Sequence, residues 1–277
     1  ILYRLVGSEM CIRDRPLVEV SNLNFAYGDN KILSDISFAV EPNCFVAVLG
    51  INGTGKSTLI KCLNKINRIK EGEVRILEQP IEDLPINELA KKVAYVPQNV
   101  STSFPIDVYD VILLGRRPYL TWNVGESDRK IVAKVIEKLK LEEFAFRKFH
   151  TLSGGEQQKV MIAKAIAQQP QVYLFDEPTS SLDLFSQYDI LSQIKGLVSD
   201  ESNACSAIVA MHDINLASKF ADMILIIHDC KIYCYDKPSS ALNISTISEV
   251  YGVDAEILTN EESGSPIINV LRPKKEE

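Results

Sequence analysis

The sequence predicts an α/β fold built on a mostly parallel β-sheet with helices on both faces. Three short runs are almost entirely apolar and rich in β-branched or aromatic residues, as strands buried on both faces are. They lie at residues 45–49, 172–175 and 223–227. Stretches with a helical spacing of apolar residues alternate with these runs, and this alternation is typical of strand–helix–strand units.

The elements can be assigned in order along the chain. Residues 17–20 and 38–40 alternate as strands around a turn at 28–30, and another strand follows at 73–77. We therefore expect an antiparallel β subdomain at the N-terminal end. Strand signals fade from 108 to 149, which indicates a helical insertion. Helices are predicted at 57–67, 128–139, 153–169, 184–198 and 216–220, and a further strand at 207–211.

These elements divide the chain into five segments. Residues 1–15 are interpreted as a non-native N-terminal segment, because MCIRDR at 10–15 resembles a translated sequencing adapter; a genuine short strand or tail is the alternative. Residues 16–98 hold the β subdomain and the first part of the core, and 99–152 the helical subdomain. Residues 153–238 complete the core, and 239–277 form a helical and strand extension with a tail.

Composition limits the class of protein. Of 277 residues 46% are apolar, which excludes a disordered chain. The net charge of −7 argues against a protein that lives on nucleic acid. No apolar run approaches the roughly 18 residues of a spanning helix, so we expect any membrane role to require a partner.

The six cysteines are scattered, without the paired spacing of a zinc site. Cys230 and Cys234 lie near His228 and could suggest a metal site, but a fourth ligand is missing. We interpret them as reduced thiols, as expected in the cytosol. His150 and His228 are expected to be structural.

A phosphate-binding loop follows the first buried strand. GINGTGKS at 50–57 matches G-x4-G-K-[ST] between a strand and a helix, the context that this motif requires. The glycines let backbone amides turn toward an anion, Lys56 supplies a charge, and the Ser57 hydroxyl can bind Mg²⁺. The sequence thus predicts a P-loop NTPase core of the RecA-like type. We assign the phosphates of a nucleoside triphosphate to Gly50, Asn52, Gly53, Thr54, Gly55, Lys56, Ser57 and Thr58.

Two acids end the second buried strand. Open α/β sheets bind ligands at the carboxyl ends of their strands, where Asp176 and Glu177 lie. Asp176 is expected to hold Mg²⁺ and Glu177 to polarise a water molecule. Two solvated acids are the alternative, disfavoured beside the P-loop.

A second glycine motif opens a predicted helix. In LSGGEQQ at 152–158, Ser153 and Glu156 form a capping box. Glycine destabilises a helix interior by about 1 kcal/mol relative to alanine, so Gly154 and Gly155 are unfavourable if their only role is to begin a helix. They indicate backbone amides that must approach a ligand closely.

From residue 17 onward the sequence resembles the nucleotide-binding subunits of ABC transporters. The resemblance implies that Ser153, Gly154, Gly155 and Glu156 contact the γ-phosphate held by the other subunit of a head-to-tail dimer. It implies that Tyr27 of FAYG stacks on adenine, although a tyrosine at a sheet edge is the plainer alternative.

The same resemblance implies further roles. Gln98 of YVPQ touches Mg²⁺ and water, Asp183 of SSLD crosses the dimer interface, and His212 of MHDIN senses the γ-phosphate. The predicted catalytic residues are therefore Glu177, His212, Gln98 and Lys56. The predicted Mg²⁺ ligands are Ser57, Gln98 and Asp176.

Two stretches resemble importers of iron siderophores, haem and cobalamin: VYDVILLGRRPYLTW at 108–122 and EVYGVDAEIL at 249–258. The expected partners are a second ATPase subunit, membrane permease subunits and, indirectly, a substrate-binding protein, but no nucleic acid. The expected location is the cytoplasmic face of a bacterial inner membrane. Arg116, Arg117 and Tyr119 are expected to contact the permease.

Three alternatives stay open. A zinc or manganese importer would use the same motor. A non-transport ABC ATPase of DNA repair or ribosomes would carry a coiled coil or two joined cassettes, which this sequence does not show. An inert ATP-binding scaffold is disfavoured by the complete set of catalytic groups.

Overall fold

The computed structural model describes residues 15–98, 105–120, 123–180, 182–200, 202–261 and 264–274. Of the segment that we interpret as non-native, Arg15 alone lies in this part, where its Nη1 pairs with the exposed Glu78 carboxylate at 2.6 Å. Trp122 and Ser181, which belong to two of the motifs, lie outside the described residues.

The strands make two main sheets and a separate hairpin. In chain order they are β1 (Val18–Tyr27), β2 (Asn30–Val40), β3 (Phe45–Leu49), β4 (Glu71–Ile76), β5 (Gln79–Pro80), β6 (Val93–Val96), β7 (Val172–Asp176), β8 (Ser206–Ala210), β9 (Met223–His228), β10 (Lys231–Asp236), β11 (Val253–Thr259) and β12 (Pro266–Pro273).

The central sheet has six strands in the order β10-β9-β3-β8-β7-β6. Five of them are parallel, and β10 adds an antiparallel edge. Every residue of β3, β7 and β8 is buried, because helices cover one face of the sheet, and strands β1, β2 and β4 with the helix that follows β3 cover the other. The predicted mostly parallel sheet is confirmed.

The predicted antiparallel subdomain is also confirmed, with strands in the order β2-β1-β4-β5. The strands are longer than the alternating stretches that predicted them, since β1 extends to Tyr27, which pairs with Asn30 across the turn. Positive φ angles of 49° at Asn22 and 55° at Asp35 accompany the register shifts of this hairpin. Such irregularities break the alternation on which the prediction depended.

The helices largely follow the predicted spacing. They are α1 (Lys56–Leu63), α2 (Ile86–Lys92), α3 (Val108–Leu113), α4 (Glu126–Lys138), α5 (Gly154–Ala167), α6 (Leu184–Val198), α7 (Ile214–Phe220), α8 (Pro238–Ala241) and α9 (Ile244–Tyr251). Helix α1 ends before the predicted residue 67, because Lys65 adopts a positive φ of 56° that no helix continues. Helix α2 and strand β6 were not predicted.

The helical insertion holds α3, a 3₁₀ turn at Leu114–Tyr119, and α4. Val132, Val135 and Ile136 are buried on the predicted apolar face of α4. They belong to the same core as α5 and the central sheet, so the insertion packs on the central sheet rather than standing apart.

The C-terminal extension consists of α8, α9 and the β11–β12 hairpin. Asn215 of α7 exchanges two hydrogen bonds with the backbone of Ile268, at 2.8 and 3.1 Å, which fastens the hairpin to the core. Within the described ranges, no helix has the length and apolar character needed to cross a membrane.

Candidate active site

The glycine-rich loop between β3 and α1 has a backbone that only glycine permits. Gly50 has a φ of 145° and Gly55 one of 102°. A Cβ at Gly50 would lie 2.5 Å from the carbonyl oxygen of Ile227, and one at Gly55 2.9 Å from Ile32 Cγ2. The loop therefore curls tightly against neighbouring strands just before α1, the arrangement in which successive amides can cradle an anion.

Lys56 lies folded into this loop. Lys56 is 4% exposed, and its Nζ donates to the carbonyl oxygens of Gly50 at 2.8 Å and Ile51 at 3.1 Å. Burial lowers the pKa of the ammonium from its ordinary value, and the charges of Glu177 and Asp176 oppose that shift. A cation so placed is ready to exchange carbonyl oxygens for phosphate oxygens.

Asp176, at the end of β7, faces the first turn of α1. The Ser57 hydroxyl donates to Asp176 Oδ1 at 2.6 Å, and the Tyr95 hydroxyl donates to Oδ2 at 3.4 Å. Burial, with the nearby Asp176 charge, raises the pKa of Tyr95 to about 12, so this hydroxyl stays a donor. A hydroxyl and a buried carboxylate are hard oxygen donors of the kind that Mg²⁺ takes from a protein.

Glu177 is held between two residues that follow the neighbouring strands β6 and β8. Gln98 Nε2 donates to Glu177 Oε2 at 2.6 Å, and His212 Nε2 lies 2.5 Å from Oε1. The Glu177 backbone has a φ of 51°, a strained value for a side chain of this size, and its amide donates to Ala210 O at 3.2 Å. At this turn at the end of β7 the Glu177 carboxylate contacts both Gln98 and His212.

Most of these groups line one cleft of about 440 Å³, although Gly50 and Asp176 are not among its lining residues. Three predicted catalytic residues that lie far apart in sequence, Gln98, Glu177 and His212, meet at its rim. Its lining residues are Ile32, Asn52, Gly53, Gly55, Lys56, Ser57, Thr58, Gln98, Glu177 and His212. Thr54, by contrast, is turned into the loop, where its hydroxyl donates to Ile51 O at 2.9 Å.

Tyr27 lies at the end of β1 with 51% of its surface exposed. Its ring stands edge-on to Phe25, with centroids 4.9 Å apart, and its hydroxyl accepts a hydrogen bond from Asn67 Nδ2 at 3.0 Å. Strand β1 is an inner strand of its sheet, so this tyrosine does not sit on an edge strand. It is half-exposed and held by Asn67, but it is not among the residues that line the cleft.

The second glycine motif lies elsewhere. Ser153 caps α5: its amide donates to Glu156 Oε2 at 2.8 Å and its hydroxyl donates to the same oxygen at 2.7 Å. These bonds lower the pKa of Glu156. Asp183 caps α6 and accepts from the amide and hydroxyl of Ser186, which lowers the Asp183 pKa.

The two caps are neighbours, because a Cβ at Gly155 would lie 3.1 Å from Ser186 Oγ. Neither Ser153–Glu156 nor Asp183 lines the cleft. A single chain thus brings together the glycine-rich loop, the acids, Gln98 and His212, but holds the second motif apart from them.

Sequence reasoning missed three residues of the site. Tyr95 bonds to Asp176, Ile32 lines the cleft beside Gly55, and Asn67 holds Tyr27. Tyr95 could have been suspected, since it lies in β6 and precedes Gln98 by three positions; no sequence signal marks the other two.

One predicted contact is wrong. Arg116 is 6% exposed, and its Nε bonds to Asp128 at 2.9 Å, so it cannot reach a permease. Arg117 and Tyr119 are exposed, as their proposed contact requires.

The described cysteines are all free thiols, as predicted. Burial raises the pKa of Cys44 and Cys62 to about 12 each. In the part of the chain that the structure covers, no cluster of three or more His, Cys, Asp or Glu residues fits a metal. A Mg²⁺ ion held mainly by phosphate and water needs only one or two protein ligands.

Comparison with known proteins agrees with this geometry. A family model described as ABC transporter matches residues 33–180. An uncharacterized ABC transporter ATP-binding protein of Methanocaldococcus jannaschii is 43% identical over 87% of this chain and 93% of its own. The hemin import ATP-binding protein HmuV of Thermobifida fusca is 33% identical over 98% of this chain and 94% of its own.

A solved structure described as a metal-chelate type ABC transporter, in an inward-facing conformation, has the same fold with a TM-score of 0.81. It is 26% identical, and the match covers 93% of this chain and 98% of that one.

Proposed function

The chain belongs to the ABC transporter family as one of its ATP-binding, ATP-hydrolysing subunits, and we propose that it drives import of an iron siderophore, haem or cobalamin. Support for this cargo class comes from the hemin import relative and the metal-chelate transporter of similar fold. Nothing in these likenesses favours zinc, manganese or a role outside transport.

The proposal that the chain hydrolyses ATP rests on the convergence of Gln98, Glu177 and His212 beside the phosphate loop. Phosphoryl transfer needs little covalent help from a protein, so catalysis is positioning plus electrostatics. In the proposal Lys56 leaves its loop carbonyls for the β- and γ-phosphates. Glu177 then orients the attacking water, and His212 donates a hydrogen bond to the γ-phosphate. Tyr27 would stack on adenine.

Mg²⁺ is proposed as the cofactor, held by Ser57, Asp176 and Gln98. When bound it would neutralise charge on the phosphates. Ser57 and Asp176 already share a hydrogen bond, which makes them a compact pair of oxygen donors.

The separation of the two glycine motifs supports a paired site. Ser153–Glu156 and Asp183 lie apart from the cleft of their own chain. We propose that they complete the cleft of a second subunit, in a head-to-tail homodimer or with a paired ATPase. The amides of the exposed Gly154 and the half-buried Gly155 at the start of α5 would then bind the partner's γ-phosphate.

Importer ATP-binding subunits work with membrane permeases, and the chain is expected to do so as a peripheral protein. The proposed location is the cytoplasmic face of a bacterial inner membrane, with a substrate-binding protein on the other side. Gln98 and the exposed Arg117 and Tyr119 of the insertion are the proposed links to the permease. The calculated net charge of −7 gives no support to a nucleic-acid partner.

A mixed-dimer experiment tests the paired site. Gly154→Asp adds a carboxylate where the γ-phosphate must arrive, so it should spare nucleotide binding by the monomer but block ATP-driven dimerisation and hydrolysis. Lys56→Ala should abolish monomer binding. Mixing the two variants should restore at most one site per dimer. A Gly154→Asp monomer that loses a fluorescent ATP analogue as fully as Lys56→Ala would show that the motif acts within its own chain.

The cargo needs a separate assay. The chain is reconstituted in vesicles with the permease and binding protein encoded beside it, and uptake of hemin, a ferric siderophore, cobalamin and Zn²⁺ is compared. ATP-dependent uptake of Zn²⁺ alone would overturn the proposed cargo while leaving the ATPase assignment intact.

A further inference from the structure

A buried guanidinium lies where the helical insertion meets α5. The side chain of Arg116 is 7% exposed and that of Asp128 is 12% exposed. Their bond, from Nε to Oδ1 at 2.9 Å, joins the 3₁₀ turn Leu114–Tyr119 to the first turn of α4. A buried charge is costly unless it is paired and fully hydrogen-bonded, so the remaining partners of Arg116 matter.

Those partners lie at the end of α5. Arg116 Nη1 donates to the carbonyl oxygen of Ala167 and to Oε1 of Gln169, each at 2.9 Å. The last carbonyls of a helix have no partner within the helix, and a cation is favourable there. The ring of Tyr119 lies 4.1 Å from the guanidinium. One side chain therefore ties the 3₁₀ turn, α4 and α5 together.

The main chains touch at the same place. A Cβ at Gly115 would lie 2.2 Å from the carbonyl oxygen of Lys164 in α5, so only glycine fits. Beside this contact, Gln168 Nε2 donates to the carbonyl oxygens of Ala90 at 2.5 Å and Val93 at 2.7 Å. Since Val93 begins β6, the end of α5 is fastened to the insertion and to the central sheet at once.

The opposite end of α5 carries the second glycine motif. A helix of 14 residues is about 21 Å long, so a tilt of about 3° at one end displaces the other by about 1 Å. A misplacement of that size in a reacting site costs on the order of 100-fold in rate. The orientation of α5 at Ala167 thus determines where Ser153–Glu156 can meet a phosphate.

We propose that Arg116 is a positioning residue for ATP hydrolysis: by clamping Asp128, Ala167 and Gln169 it sets the angle at which α5 presents Ser153–Glu156 to the partner's nucleotide. This inference rests on the proposed paired site. Arg116 itself touches no substrate. Lysine would keep the charge but not the fork that serves a carboxylate and a helix end together.

The test compares Arg116→Lys with a variant that only weakens packing. Val132→Ala removes buried methyl groups from α4 in the same insertion. Melting temperature, affinity for a fluorescent ATP analogue and steady-state hydrolysis are measured on the full chain, with hydrolysis read at temperatures equally far below each variant's Tm. Arg116→Lys should hydrolyse on the order of 100-fold more slowly at saturating ATP, with unchanged nucleotide affinity. Val132→Ala should hydrolyse at the wild-type rate.

Two further variants keep the outcome decisive. Asp128→Asn should reproduce Arg116→Lys and replaces it if that variant does not fold. Lys130→Met breaks an exposed ion pair with Glu126 on the same helix and should change nothing. Equal losses in Arg116→Lys and Val132→Ala, or wild-type hydrolysis by Arg116→Lys, would overturn the positioning role. Absence of ATP hydrolysis in the wild-type chain would instead refute the proposed function.

Discussion

Replacing Gly154 with alanine should make the isolated subunit more stable and the ATPase less active. A Cβ at this position would have one heavy atom within 4 Å, Leu182 Cδ2 at 3.9 Å, so the methyl group fits without strain. Alanine is favoured over glycine by up to about 1 kcal/mol within a helix. Position 154 is the first residue of α5, so we expect part of that value.

In a chain of this size, 1 kcal/mol corresponds to a rise in Tm of about 2–4 °C. Binding of a fluorescent ATP analogue by the monomer should not change, because Gly154 lies apart from the cleft. Hydrolysis and ATP-driven dimerisation should fall, since the methyl group occupies the space in which a phosphate must approach the backbone amides.

Gly196→Ala is the matched control. Gly196 lies inside α6, is exposed, and would have no heavy atom within 4 Å of an added Cβ. This variant should gain stability, measured by calorimetry, and keep full hydrolysis. If Gly154→Ala hydrolyses ATP as fast as Gly196→Ala, close approach to the Gly154 amide is not required and the reasoning fails.

Other variants test the role of Glu177, the contribution of the α5 cap and the importance of residues 1–15. Glu177→Gln should retain ATP, accumulate an ATP-bound dimer on gel filtration and hydrolyse orders of magnitude more slowly; normal turnover would remove Glu177 from its proposed role. Ser153→Ala should cost about 1 kcal/mol in unfolding free energy by removing the α5 cap. The cap lowers the pKa of Glu156, so the stability that the cap contributes is present at neutral pH and is lost as the pH falls through that lowered pKa. The urea midpoints of wild type and Ser153→Ala should therefore converge in acid. Deleting residues 1–15 should leave Tm and hydrolysis unchanged, because the exposed ion pair of Arg15 is worth at most about 1 kcal/mol; a loss of several degrees would mean that the segment packs as native structure.

The sequence alone determined the α/β class, the phosphate loop and the start of α5. Each of these depends on neighbours within about ten residues: an apolar run for β3, the spacing of Gly50 to Ser57, and the Ser153–Glu156 capping box. Local backbone chemistry decides such features, so local patterns predict them. Strand β6 and the β11–β12 hairpin lacked clear local signals and were missed or located only as part of an extension.

Tertiary structure decided what lies beside what. Gln98, Glu177 and His212 follow β6, β7 and β8, and they meet because those strands are adjacent in the order β8-β7-β6, which chain order does not determine. Arg116 shows that local sequence also fails to predict when a charged side chain is buried. Its neighbours in sequence are those of a surface arginine, and it is buried because Asp128 and the end of α5 supply hydrogen bonds from 12 and 51 residues away. Whether a charged side chain faces a partner protein or the interior depends on such distant donors and acceptors, and these come together only when the chain has folded.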